Sequence, residues 1–184
     1  MDSPILALIA SFIAMVAVGA AYFTKNKSWY LVMQALCVLF LAISYFFTMQ
    51  FFAMIGITIC LARTLTFYMF EKQDKVASVW WSVAFSALTL TAYVVVDLLI
   101  LKTAQPWDIL LLLASCLYAF IFRIRDLKTV RYLVLIPTIL SIFFNTLTNA
   151  AFFAALAYII ELTANVISIY RYHIRGENPT AENT

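Results

Sequence analysis

Residues 51–70, FFAMIGITICLARTLTFYMF, form an apolar run long enough to cross a bilayer, yet Arg63 stands inside it. About 20 helical residues span the ~30 Å hydrocarbon layer, and an arginine within such a helix costs about 2.5–3.5 kcal/mol on insertion scales. A guanidinium at that depth must face a protein interior and meet a partner there. The counterpart lies about a hundred residues on, in AFFAALAYIIELTANVISIYRY, where Glu161 is the acidic residue at comparable depth. The expectation is an Arg63–Glu161 ion pair inside a helical bundle, with a polar interior around it.

The remainder of the chain has the solvent preference this requires. It is 65% hydrophobic and 11% charged, against about 45–50% and 25% in soluble domains. The charges cluster in short gaps between apolar runs, as in helices joined by short loops, and the alternation of a lipid-facing barrel is absent. The predicted fold is an all-α polytopic membrane protein of seven transmembrane helices, over residues 4–23, 29–47, 51–70, 77–101, 107–122, 132–148 and 150–172, followed by a polar cytoplasmic tail at 173–184. Pro137, inside the sixth run, should kink or locally break that helix. The first run lacks the basic n-region of a secretory signal, so it reads as a retained helix, although Val18-Gly19-Ala20 loosely mimics a cleavage site.

Basic residues orient the bundle. With the N-terminus outside, the inner face collects Lys25, Lys27, Lys72, Lys75, Arg123, Arg125, Lys128, Arg131, Arg171 and Arg175, against Lys102 alone outside. The positive-inside rule then places the C-terminus in the cytoplasm. The cluster from Arg123 to Arg131 reads as topology signal, with anionic-lipid contact as the alternative. Trp29, Tyr30, Trp80, Trp81, Trp107, Tyr132 and Tyr172 fall near run ends, where an interfacial aromatic belt sits. A shift of 101–102 residues lays 27–68 over 128–170: each copy reads as a basic loop, an apolar helix, a three-residue neutral turn and a second helix closing on an aromatic. Three helices per copy and the fourth as spacer make a 3+1+3 parallel repeat.

Polar residues recur at helical spacing and mark interior faces. The seventh helix carries Tyr158, Glu161, Asn165, Ser168 and Tyr172; the third, Gly56, Cys60, Arg63 and Phe67; the fourth, Ser78, Ser82, Ser86, Thr89, Tyr93 and Asp97. The sixth has Thr138, Ser141, Asn145 and Thr148, and the second has Gln34, Cys37, Ser44 and Thr48. Lipid offers these groups no hydrogen bonds, so the stripes should converge on one another or on water. Interhelical fastening alone would account for the Ser and Thr residues. Arg63, Glu161, Asn165, Asn145, Tyr158 and Gln34 are the candidate substrate-binding residues: a cation, a carboxylate and amides suited to a polar or zwitterionic solute. An alanine stripe at Ala7, Ala10, Ala14, Ala17 and Ala21 permits close helix contact, within the bundle or between subunits.

Enzyme signatures are lacking. His173 is the single histidine and lies past the last run, which excludes histidine-ligated haem in the bundle and an HExxH zinc motif. With only three glycines there is no phosphate loop. Three cysteines in mid-run read as packing residues. No catalytic residue, metal or cofactor is expected, and the small positive charge implies no nucleic acid. The expected partners are a small polar molecule and membrane lipid, and self-association stays open.

The segment 27–71, above all Leu61-Ala62-Arg63-Thr64-Leu65-Thr66-Phe67-Tyr68, and the last helix from Tyr158 to Arg171, with Glu161, Asn165 and Ile169-Tyr170-Arg171, resemble the YgjV family of small bacterial inner-membrane proteins. The resemblance covers most of the chain and implies an inner-membrane location. More broadly the plan is similar to SWEET, PQ-loop and nicotinamide-riboside transporters, although no Pro-Gln pair stands in the first or fifth helix, so the hinge of the first two families does not carry over. The reading is an inner-membrane transporter or facilitator of a small polar solute; the alternative is a non-transporting accessory or regulatory membrane protein.

Overall fold

A computed structural model describes residues 3–49, 51–102, 104–147 and 152–175. Seven α-helices carry the chain and no strand occurs among the described residues: α1 (Ser3–Phe23), α2 (Lys27–Phe47), α3 (Phe51–Lys72), α4 (Val79–Ala92), α5 (Asp108–Ile121), α6 (Leu127–Leu147) and α7 (Phe152–Ile169). Two of them continue as π-helix, α4 through Tyr93–Leu101 and α7 through Tyr170–Ile174. Five are long and apolar enough to cross a membrane, at Ile5–Phe23, Lys27–Phe47, Ala53–Lys72, Val79–Leu101 and Leu127–Leu147, while α5 is shorter. The second expected turn, 148–150, and the tail from residue 176 lie outside the described residues.

Local chemistry sets the ends. The Asn26 side chain accepts from the Ser28 N–H at 2.8 Å and starts α2 two residues before the apolar run does. Asp126 accepts from the N–H groups of Lys128 and Thr129, so α6 begins at Leu127 rather than 132. Its first turn is polar, and hydropathy alone does not detect it. Such caps satisfy backbone donors that the helix cannot satisfy itself. Pro137 does not break α6, which runs unbroken from Leu127 to Leu147; the missing N–H forfeits one bond to the Leu133 carbonyl, and packing against neighbours carries the helix through.

The helices close a ring. α1 packs on α2 and α7, and the contacts then run from α2 to α3, α3 to α4, α4 to α5, α5 to α6 and α6 to α7, with α3 also touching α5. All five alanines of the α1 stripe are buried, so the small faces serve packing within the bundle. Large apolar side chains lie on the outside, among them Phe12, Val16, Leu99, Ile136, Phe143 and Val166. An apolar exterior of that extent suits lipid rather than water.

The loops that hold most of the basic residues gather at one end of the ring, and their charges are put to structural use. Lys27 Nζ donates to Glu71 Oε2 at 2.7 Å, joining α2 to α3, and Arg125 pairs with Asp74. Arg123 Nε donates to the Ala77 carbonyl at 2.8 Å. Arg131 is buried and donates to the carbonyls of Tyr22 and Thr24, while the Tyr172 hydroxyl donates to that of Phe23 at 3.1 Å. Three consecutive carbonyls where α1 ends are thus tied to α6 and to the end of α7, where a helix terminus favours cations. The cluster from Arg123 to Arg131 therefore fastens helices in addition to any role in topology. Of the expected aromatic belt, Trp29, Trp80, Trp81, Trp107 and Tyr132 are exposed, whereas Tyr30 is fully buried and points into the bundle.

Candidate functional site

The polar stripes converge within the ring, for the reason that placed them there: a membrane helix satisfies its side-chain donors only on its neighbours. Ser11 of α1 meets Ser44 of α2 at 2.8 Å, and Ser82 of α4 donates to the Ala119 carbonyl of α5 at 2.6 Å. Tyr45 of α2 donates to Asn145 Oδ1 of α6 at 3.1 Å. Inside the ring lies a cavity with about 60 Å³ of room for the centres of water molecules, enough for roughly four waters. Its polar lining includes Gln34, Arg63, Thr89, Ser115, Tyr158 and Glu161, and the rest of its wall is largely apolar, with Leu41, Ile57, Leu111 and Leu112 prominent.

Glu161, buried on α7, collects three donors on one oxygen. Oε1 accepts from the Tyr22 hydroxyl at 2.7 Å, from Gln34 Nε2 at 3.3 Å and from the Tyr118 hydroxyl at 3.4 Å. Tyr30 donates to the Tyr22 hydroxyl at 3.3 Å and extends the network along α2. Oε2 takes none of these bonds.

Arg63 is also buried and reaches the same cavity from α3, where it binds α5. Nη1 donates to the Ser115 carbonyl at 2.6 Å and lies 3.5 Å from its hydroxyl. The guanidinium carbon stands 5.6 Å from the Tyr118 ring centroid and 5.5 Å from that of Phe122, within cation–π range. Nε is buried with no acceptor.

The expected Arg63–Glu161 ion pair is not formed. The ion pairs among the described residues are Lys27–Glu71 and Arg125–Asp74, and the two interior charges hold separate partners. Tyr118 explains the separation: its ring faces the guanidinium and its hydroxyl reaches both Glu161 and Thr138 Oγ1, the latter at 2.9 Å. One phenol answers both charges, so neither has to close on the other.

A family model described as "Bacterial inner membrane protein" matches residues 5–175, nearly the whole chain. The chain belongs to the Imp-YgjV family. No curated protein and no solved structure matches it. This Imp-YgjV member is thus a multi-pass protein of the bacterial inner membrane, and its exposed apolar girdle is the surface that lipid covers.

The six candidate residues divide by position in this Imp-YgjV protein. Gln34, Arg63, Tyr158 and Glu161 line the cavity. Asn145 does not; it holds Tyr45, which does, and Nδ2 donates to its own helix at the Ser141 carbonyl. Asn165 lies one turn beyond Glu161 toward the basic end, where Nδ2 donates to the Arg131 carbonyl at 2.7 Å and joins α7 to α6. Four participants escaped the sequence reading: Tyr22, Tyr30, Ser115 and Tyr118. Tyr22 and Tyr30 sit at run ends and look interfacial. Ser115, Tyr118 and Phe122 recur at spacings of three and four on the short fifth run, which is the sequence signal for that interior face.

Asn165→Ala provides a direct check on this division. It should lower stability by about 1 kcal/mol through the lost bond, seen as about 2–4 °C in melting temperature, and leave the binding of any cavity ligand unchanged. Loss of binding with stability intact would put the Asn165 amide on the ligand instead.

Proposed function

We propose that this protein transports a small polar solute, or facilitates its passage, through the central cavity between two three-helix halves. The observation that carries the reading is a buried guanidinium and a buried carboxylate facing one cavity without pairing. Burying two charges is costly unless their mutual attraction offsets it, and keeping them apart around a hollow forgoes that compensation. Intramembrane ionisable residues facing a cavity mark substrate or ion pathways.

The halves are α1–α3 and α5–α7, with α4 as spacer, as a parallel 3+1+3 repeat requires. Support comes from the packing. In each half the middle helix touches both flanking helices, and the contact of α1 with α7 has its counterpart in that of α5 with α3. Near a twofold axis, equivalent residues meet one another; Tyr45 and Asn145, 100 positions apart, are bonded beside the cavity, close to the 101–102 offset of the repeat. The basic end faces the cytoplasm on this reading, with the N-terminus outside.

The test is a melting-shift screen of detergent-purified protein against amino acids, sugars, polyols, nucleosides and organic acids, followed by uptake in proteoliposomes. A compound that stabilises wild type, fails to stabilise Glu161→Gln and enters liposomes only with wild type present is the expected result. The competing reading, a non-transporting accessory protein, draws on Ser11–Ser44, Ser82–Ala119 and similar bonds that fasten helices. It is favoured if no compound shifts melting while substitutions at Arg63 and Glu161 alter only stability.

A further inference from the structure

The cavity is lined by two opposite charges, with Tyr118 between them, and the rest of its wall is mostly apolar. At one, Arg63 spends both its hydrogen bonds through Nη1 and leaves Nε buried without an acceptor. At the other, Glu161 accepts every donor through Oε1. Each charge is held in place by the protein and incompletely satisfied by it. Arg63 is 3% and Glu161 4% exposed, so both charges are buried within the bundle.

From this we propose that the cavity takes a compact zwitterion with an apolar body, its carboxylate on Arg63 and its ammonium on Glu161, in the manner of a small aliphatic amino acid. The proposal rests on the central-cavity reading and narrows it to one ligand class. A planar guanidinium fork matches a carboxylate, and an ammonium supplies the donors that Oε2 lacks. A simple anion would meet Arg63 but bring a like charge toward Glu161; a simple cation would do the reverse. A sugar or polyol would lay hydroxyls against Leu41, Ile57, Leu111 and Leu112, where they find no partners and desolvation opposes entry. Room for roughly four waters fits a solute of a few heavy atoms.

The test uses L-alanine, L-valine and 2-aminoisobutyrate as probes on purified protein, with alaninamide, N-acetylalanine, propionate and isopropylamine as single-ended controls, and glucose and glycerol as neutral ones. A zwitterion at ten times its Kd should raise the melting temperature by about 3–5 °C, and each control at the same concentration by less than a third of that. In Arg63→Met the zwitterion and its amide should become equivalent, because the group distinguishing them has lost its partner. Arg63→Lys, which keeps the charge without the fork, provides a second variant should methionine prevent folding, and there the zwitterion should bind about tenfold more weakly. Stabilisation by glucose, glycerol or a nucleoside but not by the zwitterions overturns the ligand class and leaves transport standing. Propionate acting as strongly as alanine also overturns it, as does an undiminished alanine shift in Arg63→Met. If neither these probes nor any compound of the broader screen shifts melting, both readings fall.

Discussion

Glu161→Ala should be the most damaging single substitution in the interior. Removing the carboxylate strands the Tyr22 hydroxyl, Gln34 Nε2 and the Tyr118 hydroxyl around one vacated oxygen. A buried donor left without its acceptor costs about 1–3 kcal/mol. The three losses are not additive, because Tyr118 retains Thr138 and Gln34 retains the tyrosine hydroxyls at 3.4 Å. A total of about 3 kcal/mol is expected, read as a fall of about 6–12 °C in melting temperature at this chain length. Glu161→Gln should lose less than half as much, since the amide oxygen still accepts in the same place. Equal melting of the alanine variant and wild type would mean that Oε1 is not the junction of α1, α2, α5 and α7.

Arg63→Met should do the opposite: leave stability nearly intact and remove ligand recognition. The guanidinium contributes bonds to Ser115 and contact with two rings, but it is buried with Nε unpaired and no carboxylate against it. Removing a buried charge that has no counter-ion relieves its desolvation cost, which offsets the lost bond to Ser115, so a change within about 1 kcal/mol of wild type is expected in thermal melts. Binding of a solute that uses the guanidinium should weaken by about 100-fold, as for loss of one partner in a buried charge-assisted pair. Titration of that solute by melting shift and by proteoliposome uptake reads both quantities on one preparation. A large loss of stability with unchanged affinity would make Arg63 a fastener of α3 to α5.

The pairing of these two results follows from how the charges are held. Glu161 is an acceptor shared by three helices besides its own, so its loss is felt as stability. Arg63 is bonded to a carbonyl of a neighbouring helix, lies near two rings and lines the cavity. That difference was not visible in the sequence, where the two looked like complementary halves of one ion pair.

What the amino-acid order determined by itself was the solvent and the faces. Twenty-residue apolar runs separated by short basic gaps specify membrane helices, because backbone groups in lipid must be satisfied within the segment. Polar residues recurring every three or four positions specify which side of each helix is interior, because lipid cannot bond them. Arg63, Gln34, Tyr158 and Glu161 were all legible on that ground. Periodicity does not say which interior residues meet, since partner choice depends on the rotation and depth of each helix against its neighbours. Only the closed ring decided that Tyr118 would stand between Arg63 and Glu161, that Tyr22 and Tyr30 would turn inward from run ends, and that Asn165 would bond the Arg131 carbonyl below the cavity. A phenol long enough to serve a cation with its face and a carboxylate with its hydroxyl stands where a direct Arg63–Glu161 bridge was expected, and all three residues line the cavity.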